Sequence, residues 1–367
     1  MGLTCFSHFA GFPAGGCGRS FSRERGPVGV TRRSCRDPGR AGSPARSTGR
    51  RSASEAAVAV VGSLGLDALG FDHRRGFWTA YQPGFRFTEA EMGSPEFFRA
   101  VERHRYALEP HIPEMVRFAD WANRDVLEAG CGIATDGLQF ARAGARYTGI
   151  DFSPTAVRLA RRRLDAEGLD GSIVNGSITA LPFPEASFDL VYSHGVIHHI
   201  PQTEQAVREF HRVLRPDGTA LVMVYHRSSF NHRFTILVLR RALAGMLVLP
   251  GGVRAISALT GEPPDVLEGH RLLIAEHGMG YLRDRRLFVS HNTDGPGNPL
   301  SKVYTRAEVH RLFGDFAHVE TAVRFLNLRI YPGGERLARS RVARRLEWRW
   351  GWHLYGRALR GDAHERA

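Results

Sequence analysis

One stretch, Val126 to Asp151, constrains this chain most: V-L-E-A-G-C-G-I-A-T-D-G-L-Q-F-A-R-A-G-A-R-Y-T-G-I-D. Val126 and Leu127 open a short apolar run that ends in Glu128 and then in Gly130, Cys131 and Gly132. Leu138, Phe140 and Ala141 mark an amphipathic segment, and Gly144 stands where it should stop. Tyr147 to Ile150 form a second run, closed by Asp151. The pattern predicts strand, Gly-rich turn, helix, strand and acid. That is one βαβ unit with a nucleoside-type ligand site at the carboxyl edge of its strands. Glycines let the backbone turn tightly and let a ligand approach where a Cβ would intrude. An acid at the end of the second strand can accept hydrogen bonds from both hydroxyls of a ribose.

Two ligand classes fit this outline. A dinucleotide site requires G-x-G-x-x-G, but the third position here is Thr135. The E-x-G-C-G form, with Glu128 two residues before Gly130, resembles motif I of the class I S-adenosylmethionine (SAM)-dependent methyltransferases. SAM has no pyrophosphate, so the third glycine is not needed. Glycines that serve only a tight turn are the plainer alternative.

Strand and helix keep alternating after Asp151. Ser153 and Pro154 suit an N-cap and a first helical position, and Gly168 suits the stop. Ile173 and Val174 begin a third strand. Leu181 to Ser193, L-P-F-P-E-A-S-F-D-L-V-Y-S, carries a fourth and resembles the segment leading into motif IV of the same family. Thr203 to Leu214 reads as an amphipathic helix, Pro216 to Gly218 as a turn, and Thr219 to Tyr225 as a fifth strand. Thr305 and Glu308 are spaced as a capping box.

The resemblance runs over about residues 95–331 and is specific from Val126 to Tyr225. It implies an α/β fold: the Rossmann-like, doubly wound, seven-stranded sheet of class I methyltransferases, with a helical insertion after the fifth strand. The expected organisation has a disordered basic tail over 1–56, lead-in helices over 57–125 and a SAM-binding core over 126–226. An insertion over 227–303 is read as a substrate cap. The sheet is expected to end within 304–332, and 333–367 to be a basic, Trp-rich tail.

The resemblance also implies a site. Glu128, Gly130, Cys131, Gly132, Asp151, Phe152, Ser177, Ile178 and His194 are expected around the cofactor, with Asp151 on the ribose and Glu128 near the amino group. Many relatives place an acid after the glycine of the third strand, whereas Gly176 is followed here by Ser177 and Ile178. His198 and His199, in S-H-G-V-I-H-H-I, are the candidate catalytic residues. A hydroxyl or weakly acidic carbon must lose its proton to accept a methyl group, and histidine is the usual base near neutral pH. The alternative is that the His-His pair caps a turn. Arg105 and Tyr106 are candidates to face the cofactor's carboxylate.

Composition narrows the function further. Hydrophobic content of 43% and charged content of 24% are those of an ordinary globular protein. The four cysteines, Cys5, Cys17, Cys35 and Cys131, form no C-x-x-C pair, which gives no metal signature and favours a reducing, cytoplasmic setting. Residues 1–54 hold ten arginines against Glu24 and Asp37, and Lys302 is the only lysine in the chain. Such arginine usage raises the net charge to +13 without requiring a nucleic-acid partner, and none is expected. Phe234 to Leu249 is apolar but interrupted by Arg240 and Arg241. It suits a helix that lines an apolar pocket or rests on a bilayer surface. The expected activity is methyl transfer from SAM to a small apolar or amphiphilic acceptor, on oxygen or carbon. An NAD-type oxidoreductase and a non-catalytic SAM-binding protein are the alternatives.

Overall fold

Seven strands form one sheet in the order β3-β2-β1-β4-β5-β7-β6. They are β1 (Asp125–Ala129), β2 (Arg146–Asp151), β3 (Ser172–Asn175), β4 (Phe188–His194), β5 (Leu214–Tyr225), β6 (His318–Arg324) and β7 (His353–Leu359). The computed structural model describes residues 76–79, 88–329, 331, 334–338 and 340–361. The basic segment 1–56 and the aromatic residues Tyr81, Phe85 and Phe87 lie outside the described residues. Strands β1 to β5 run parallel, and β7 is antiparallel to both β5 and β6.

The parallel centre is covered on both faces, as parallel sheets must be. Val126, Leu190, Leu221 and Met223 belong to one apolar cluster, and Leu127, Val191, Ala220 and Val222 to the other. Neighbouring residues of a strand therefore serve opposite layers, as the pleat dictates. The chain reverses direction across the sheet between β1 and β4. Their carboxyl ends define the crevice where open α/β sheets bind ligands.

Local signals place the flanking helices where the sequence predicts. In the helix Pro154–Glu167, the Ser153 side chain accepts from the Ala156 N–H, and Gly168 closes the helix in the left-handed region. Thr305 and Glu308 form the reciprocal capping box at the start of Arg306–Leu312. Residues 227–303 are helical, with segments at Asn231–Arg240, Arg241–Met246, Gly252–Thr260, Pro264–His277 and Arg285–His291. Their inner face shares a core with the sheet, since Ile236, Leu243, Tyr281 and Phe288 cluster with Tyr225 and Trp352.

Two sequence expectations need correction. The sheet does not end within 304–332, and 333–367 is not simply a tail. Strand β7 lies in it and is inserted between β5 and β6, pairing with both along its length. The alternation of Trp348, Trp350 and Trp352 with basic residues conceals a boundary. Trp348 and Trp350 are exposed on the helix Arg341–Trp350, whereas Trp352 is buried and leads into β7. Its indole stacks on the Tyr225 ring, 4.3 Å away at 20°. The second correction is small: β5 begins at Leu214, and its pairing with β4 shifts register before resuming at Thr219. Pro216 to Gly218 is thus an irregularity inside the strand and not a turn before it.

Trp352 anchors the last strand to the site-bearing edge of the sheet. Trp352→Ala should lower stability by about 3–5 kcal/mol, the usual cost of deleting a buried aromatic side chain. The loss would appear as a lower urea midpoint with an unchanged m-value. A midpoint within error of the parent would refute this anchoring role.

Candidate functional site

The Gly-rich loop leaves β1 and folds back on β2. The backbone N–H groups of Gly130 and Cys131 both donate to the Ile150 carbonyl, at 2.8 and 3.0 Å. Asp151 ends β2 and fixes the loop from the other side. Its Oδ2 accepts from the Gly132 N–H and its Oδ1 from the Ser153 N–H, each at 2.9 Å. Each carboxylate oxygen keeps a second lone pair for a ligand hydroxyl. Burial raises the Asp151 carboxyl above its ordinary range, against the pull of those two N–H donors. Gly130 has φ +82°, and a Cβ there would come within 2.5 Å of the Val196 side chain. No larger residue fits that position.

A largely apolar pocket opens beyond this loop. Its walls include Gly130, Gly132, Asp151, Phe152, Ser177, Ile178, His194 and His199, with Trp78. A second, more polar pocket adjoins it and shares Gly130, Gly132 and His194. Glu128, Cys131, Arg105, Glu109 and Asp136 line this one. The nine residues expected around a cofactor, from four separate segments, therefore meet at two adjoining cavities.

Asp136 holds the polar pocket together. Arg105 donates to it from Nε at 2.8 Å and from Nη2 at 2.5 Å. The hydroxyls of Tyr106 and Tyr192 add bonds of 2.9 and 2.8 Å. Burial opposes the Asp136 charge, but the Arg105 guanidinium outweighs it and holds the carboxyl below its usual range. Arg105 and Tyr106 are thus bound to the protein's own carboxylate, a partner the sequence reading did not assign. Thr135, at the position of the missing glycine, accepts from the buried Arg163 at 2.8 Å.

Two other carboxyls here are displaced toward neutrality. Burial, then the Asp136 charge, raises Glu128 to about 8, although the Tyr147 hydroxyl donates to it at 2.6 Å. Burial raises Glu109 to about 7 against the pull of Arg105. Glu109, His194 and His353 bring ligand-type atoms within 4.8 Å of one another. Arg105 faces two of the three, at 3.5 Å from Glu109 and 3.2 Å from His194. The Arg105 guanidinium thus partners two members of this cluster.

The histidines separate by position. His199 lines the apolar pocket, and its Nδ1 lies 2.8 Å from the Leu300 carbonyl. A carbonyl only accepts, so Nδ1 carries a proton. Nε2 is 3.4 Å from Asp294 Oδ2, and Asp294 also accepts from the Tyr225 hydroxyl at 2.8 Å. His198 is fully buried beneath Tyr225, with ring centroids 4.0 Å apart, and lines neither pocket. Burial, then the neighbouring His199 and His194, depresses its basicity strongly. His194 Nδ1 accepts from Arg105, and its Nε2 lies 3.1 Å from the Tyr355 hydroxyl.

Sequence reasoning did not assign Asp136, Glu109, Asp294, His353 or Tyr355 to the site. No local pattern marks them. Asp136 meets Arg105 across 31 positions of chain, and Tyr355 reaches His194 across 161.

A family model described as a methyltransferase domain matches residues 127–222. A probable S-adenosylmethionine-dependent methyltransferase of Mycolicibacterium smegmatis is 38% identical over 110 residues, which covers 30% of this chain and 41% of that protein. A fatty-acid O-methyltransferase of the same organism is 34% identical over 129 residues, 35% of this chain and 46% of that protein. The chain thus spans less than half the length of these two relatives. Among solved structures, a SAM-dependent methyltransferase from Aquifex aeolicus aligns with TM-score 0.40 at 13% identity, over 73% of this chain and 98% of that one. By its strand order, its Gly-rich loop and this family match, the chain carries a class I methyltransferase domain whose cofactor is S-adenosylmethionine.

Proposed function

We propose that this protein transfers a methyl group from SAM to a small apolar or amphiphilic acceptor, with His199 as the general base. The arrangement of His199 carries the reading. His199 lines the cofactor pocket, its Nδ1 is fixed by a backbone carbonyl, and its buried Nε2 lies 3.4 Å from the Asp294 carboxylate. The cofactor supplies an electrophilic methyl on a sulfonium. The chain's own residues would orient the acceptor, exclude water and remove its proton. A proton taken by Nε2 would be held against the Asp294 carboxylate, which would stabilise the imidazolium charge.

The residues present suit the cofactor. Asp151 has free lone pairs for ribose hydroxyls, and Phe152 and Ile178 offer apolar surface for an adenine. Ser177 replaces the acid of many relatives, and its hydroxyl is shared with Thr179 at 2.8 Å. Glu128 and Glu109 present carboxyls to the polar pocket, which suits an ammonium group.

An apolar acceptor is supported by the lining of the first pocket and by relatives named as fatty-acid O- and sterol C-methyltransferases. The proposed role of the insertion is to complete the substrate side by holding His199. Leu300, Ser301 and Asp294 all contact that ring. None of residues 227–303 lines either pocket, and this role takes the place of the expected substrate cap.

Calorimetry should show binding of SAM and S-adenosylhomocysteine and none of NAD. Asp151→Ala should weaken SAM by about 1–3 kcal/mol, the scale for hydrogen bonds to a charged group. Tight NAD binding with no response to SAM would overturn the reading.

The raised carboxyls predict a pH dependence. Below about 8 for Glu128 and about 7 for Glu109 these groups hold protons in the free protein. An ammonium favours the ionised form, so SAM binding should release protons and tighten as pH rises from about 6 to 8. Titrations in buffers of different ionisation enthalpy measure that release. Glu128→Gln should reduce it, and a wild-type release of zero would refute the carboxyl–ammonium pairing.

His199→Ala should lower kcat by about 10²-fold or more with SAM affinity nearly unchanged. Asp294→Asn should lower kcat less and shift its pH profile, while His198→Gln should act on stability rather than kcat. Equal loss of SAM binding and kcat in His199→Ala would reduce that residue to a structural part.

A further inference from the structure

We infer that the outer face of the helical segment 231–246 docks this protein on an anionic lipid bilayer. The segment begins the insertion and joins Asn231–Arg240, with π-helical pairing, to Arg241–Met246. Its inner face is ordinary core, with Ile236, Leu243, Ala244 and Leu247 buried. Its outer face is apolar as well. Phe234, Val238, Ala242 and Met246 recur every fourth residue and are all exposed, followed by exposed Val248 and Leu249. The larger of these side chains are 44–57% exposed.

Single exposed apolar side chains are normal on a protein surface. A continuous line of them on one helix crest is not, and it marks an interaction site. The charges around it select the occupant. Residues 227–261 contain five arginines and no aspartate or glutamate. Arg233 and Arg254 are exposed, whereas Arg241 is turned over the Phe288 ring and Arg240 inward onto the Asn292 carbonyl. Arg285 of the neighbouring helix adds a cation beside Arg241 and Asp284 a single acid, so apolar side chains on the crest with mainly cations on the flanks remain the composition of a helix lying in the plane of a membrane interface. The segment is too short to cross a bilayer, and no described helix is long and apolar enough to do so. A bilayer needs no shape match, only apolar insertion and surface charge, and the arginines answer an anionic leaflet.

This inference is independent of the methyl-transfer reading and its test needs no turnover. The full chain would be sedimented with vesicles of phosphatidylcholine alone and of phosphatidylcholine mixed with phosphatidylglycerol. Binding is expected to the mixed vesicles, at least about tenfold tighter than to the neutral ones, and weaker in high salt. Phe234→Ser combined with Val238→Ser and Leu249→Ser should reduce it by about tenfold or more, with the circular dichroism spectrum retained. If that triple variant fails to fold, Val238→Ser and Leu249→Ser singly give the same readout, since both sites are exposed. Arg233→Glu with Arg254→Glu should remove the preference for anionic vesicles. Absence of binding to both vesicle types would overturn the inference, as would binding that these variants leave unchanged. So would a wild-type dimer without vesicle binding that the triple variant turns monomeric, because the face would then join two copies of the chain.

Discussion

The buried carboxylate of Asp136 is the interaction on which the site depends. It sits just after the Gly-rich loop and accepts from Arg105 and Tyr106 on the lead-in helix and from Tyr192 on β4. A buried ion pair gains little over apolar packing, yet losing one partner leaves an uncompensated charge that costs several kcal/mol. The pair therefore acts as a register. It locks a helix that precedes the sheet onto the loop between its first two strands, and so shapes one wall of the polar pocket. Arg105 extends the lock to His194 and Glu109.

The second constraint is the last strand. β7 enters between β5 and β6 and carries Tyr355 beneath His194 and His353 beside His111. Its antiparallel direction brings the first residues of the strand to the carboxyl edge of β5, where the site lies. The Trp352–Tyr225 stack fixes that end. Tyr225 in turn covers His198 and donates to Asp294. A segment remote in sequence from the Gly-rich loop thus supports both histidine positions.

The two adjacent histidines show how far periodicity reaches. His198 and His199 follow the same strand in the same short motif, and nothing local distinguishes them. They occupy one helical turn, Ile197–His199, and their rings touch, 4.2 Å apart at 53°, but their other neighbours differ. One enters the layer beneath Tyr225 and the other the pocket wall. The insertion completes the distinction, since Leu300, Ser301 and Asp294 meet only His199.

The sequence by itself determined the βαβ unit, the Gly130 turn, Asp151 on the loop, the helix caps at Ser153 and Thr305, and the alternation that produces a parallel sheet. These are local: a cap, a turn or an apolar run is specified by residues a few positions apart. The tertiary structure alone decided that residues 353–359 form a strand inside the sheet, that Arg105 answers Asp136, and which histidine faces the pocket. The physical reason is range. Strand pairing, buried ion pairs and side-chain burial are settled by groups brought together across tens to hundreds of residues, and no window of sequence contains both partners. The C-terminal segment misled for that reason. Its tryptophans and arginines describe an amphipathic surface up to Trp350, and only the pairing offered by β5 on one side and β6 on the other makes a strand of His353–Leu359.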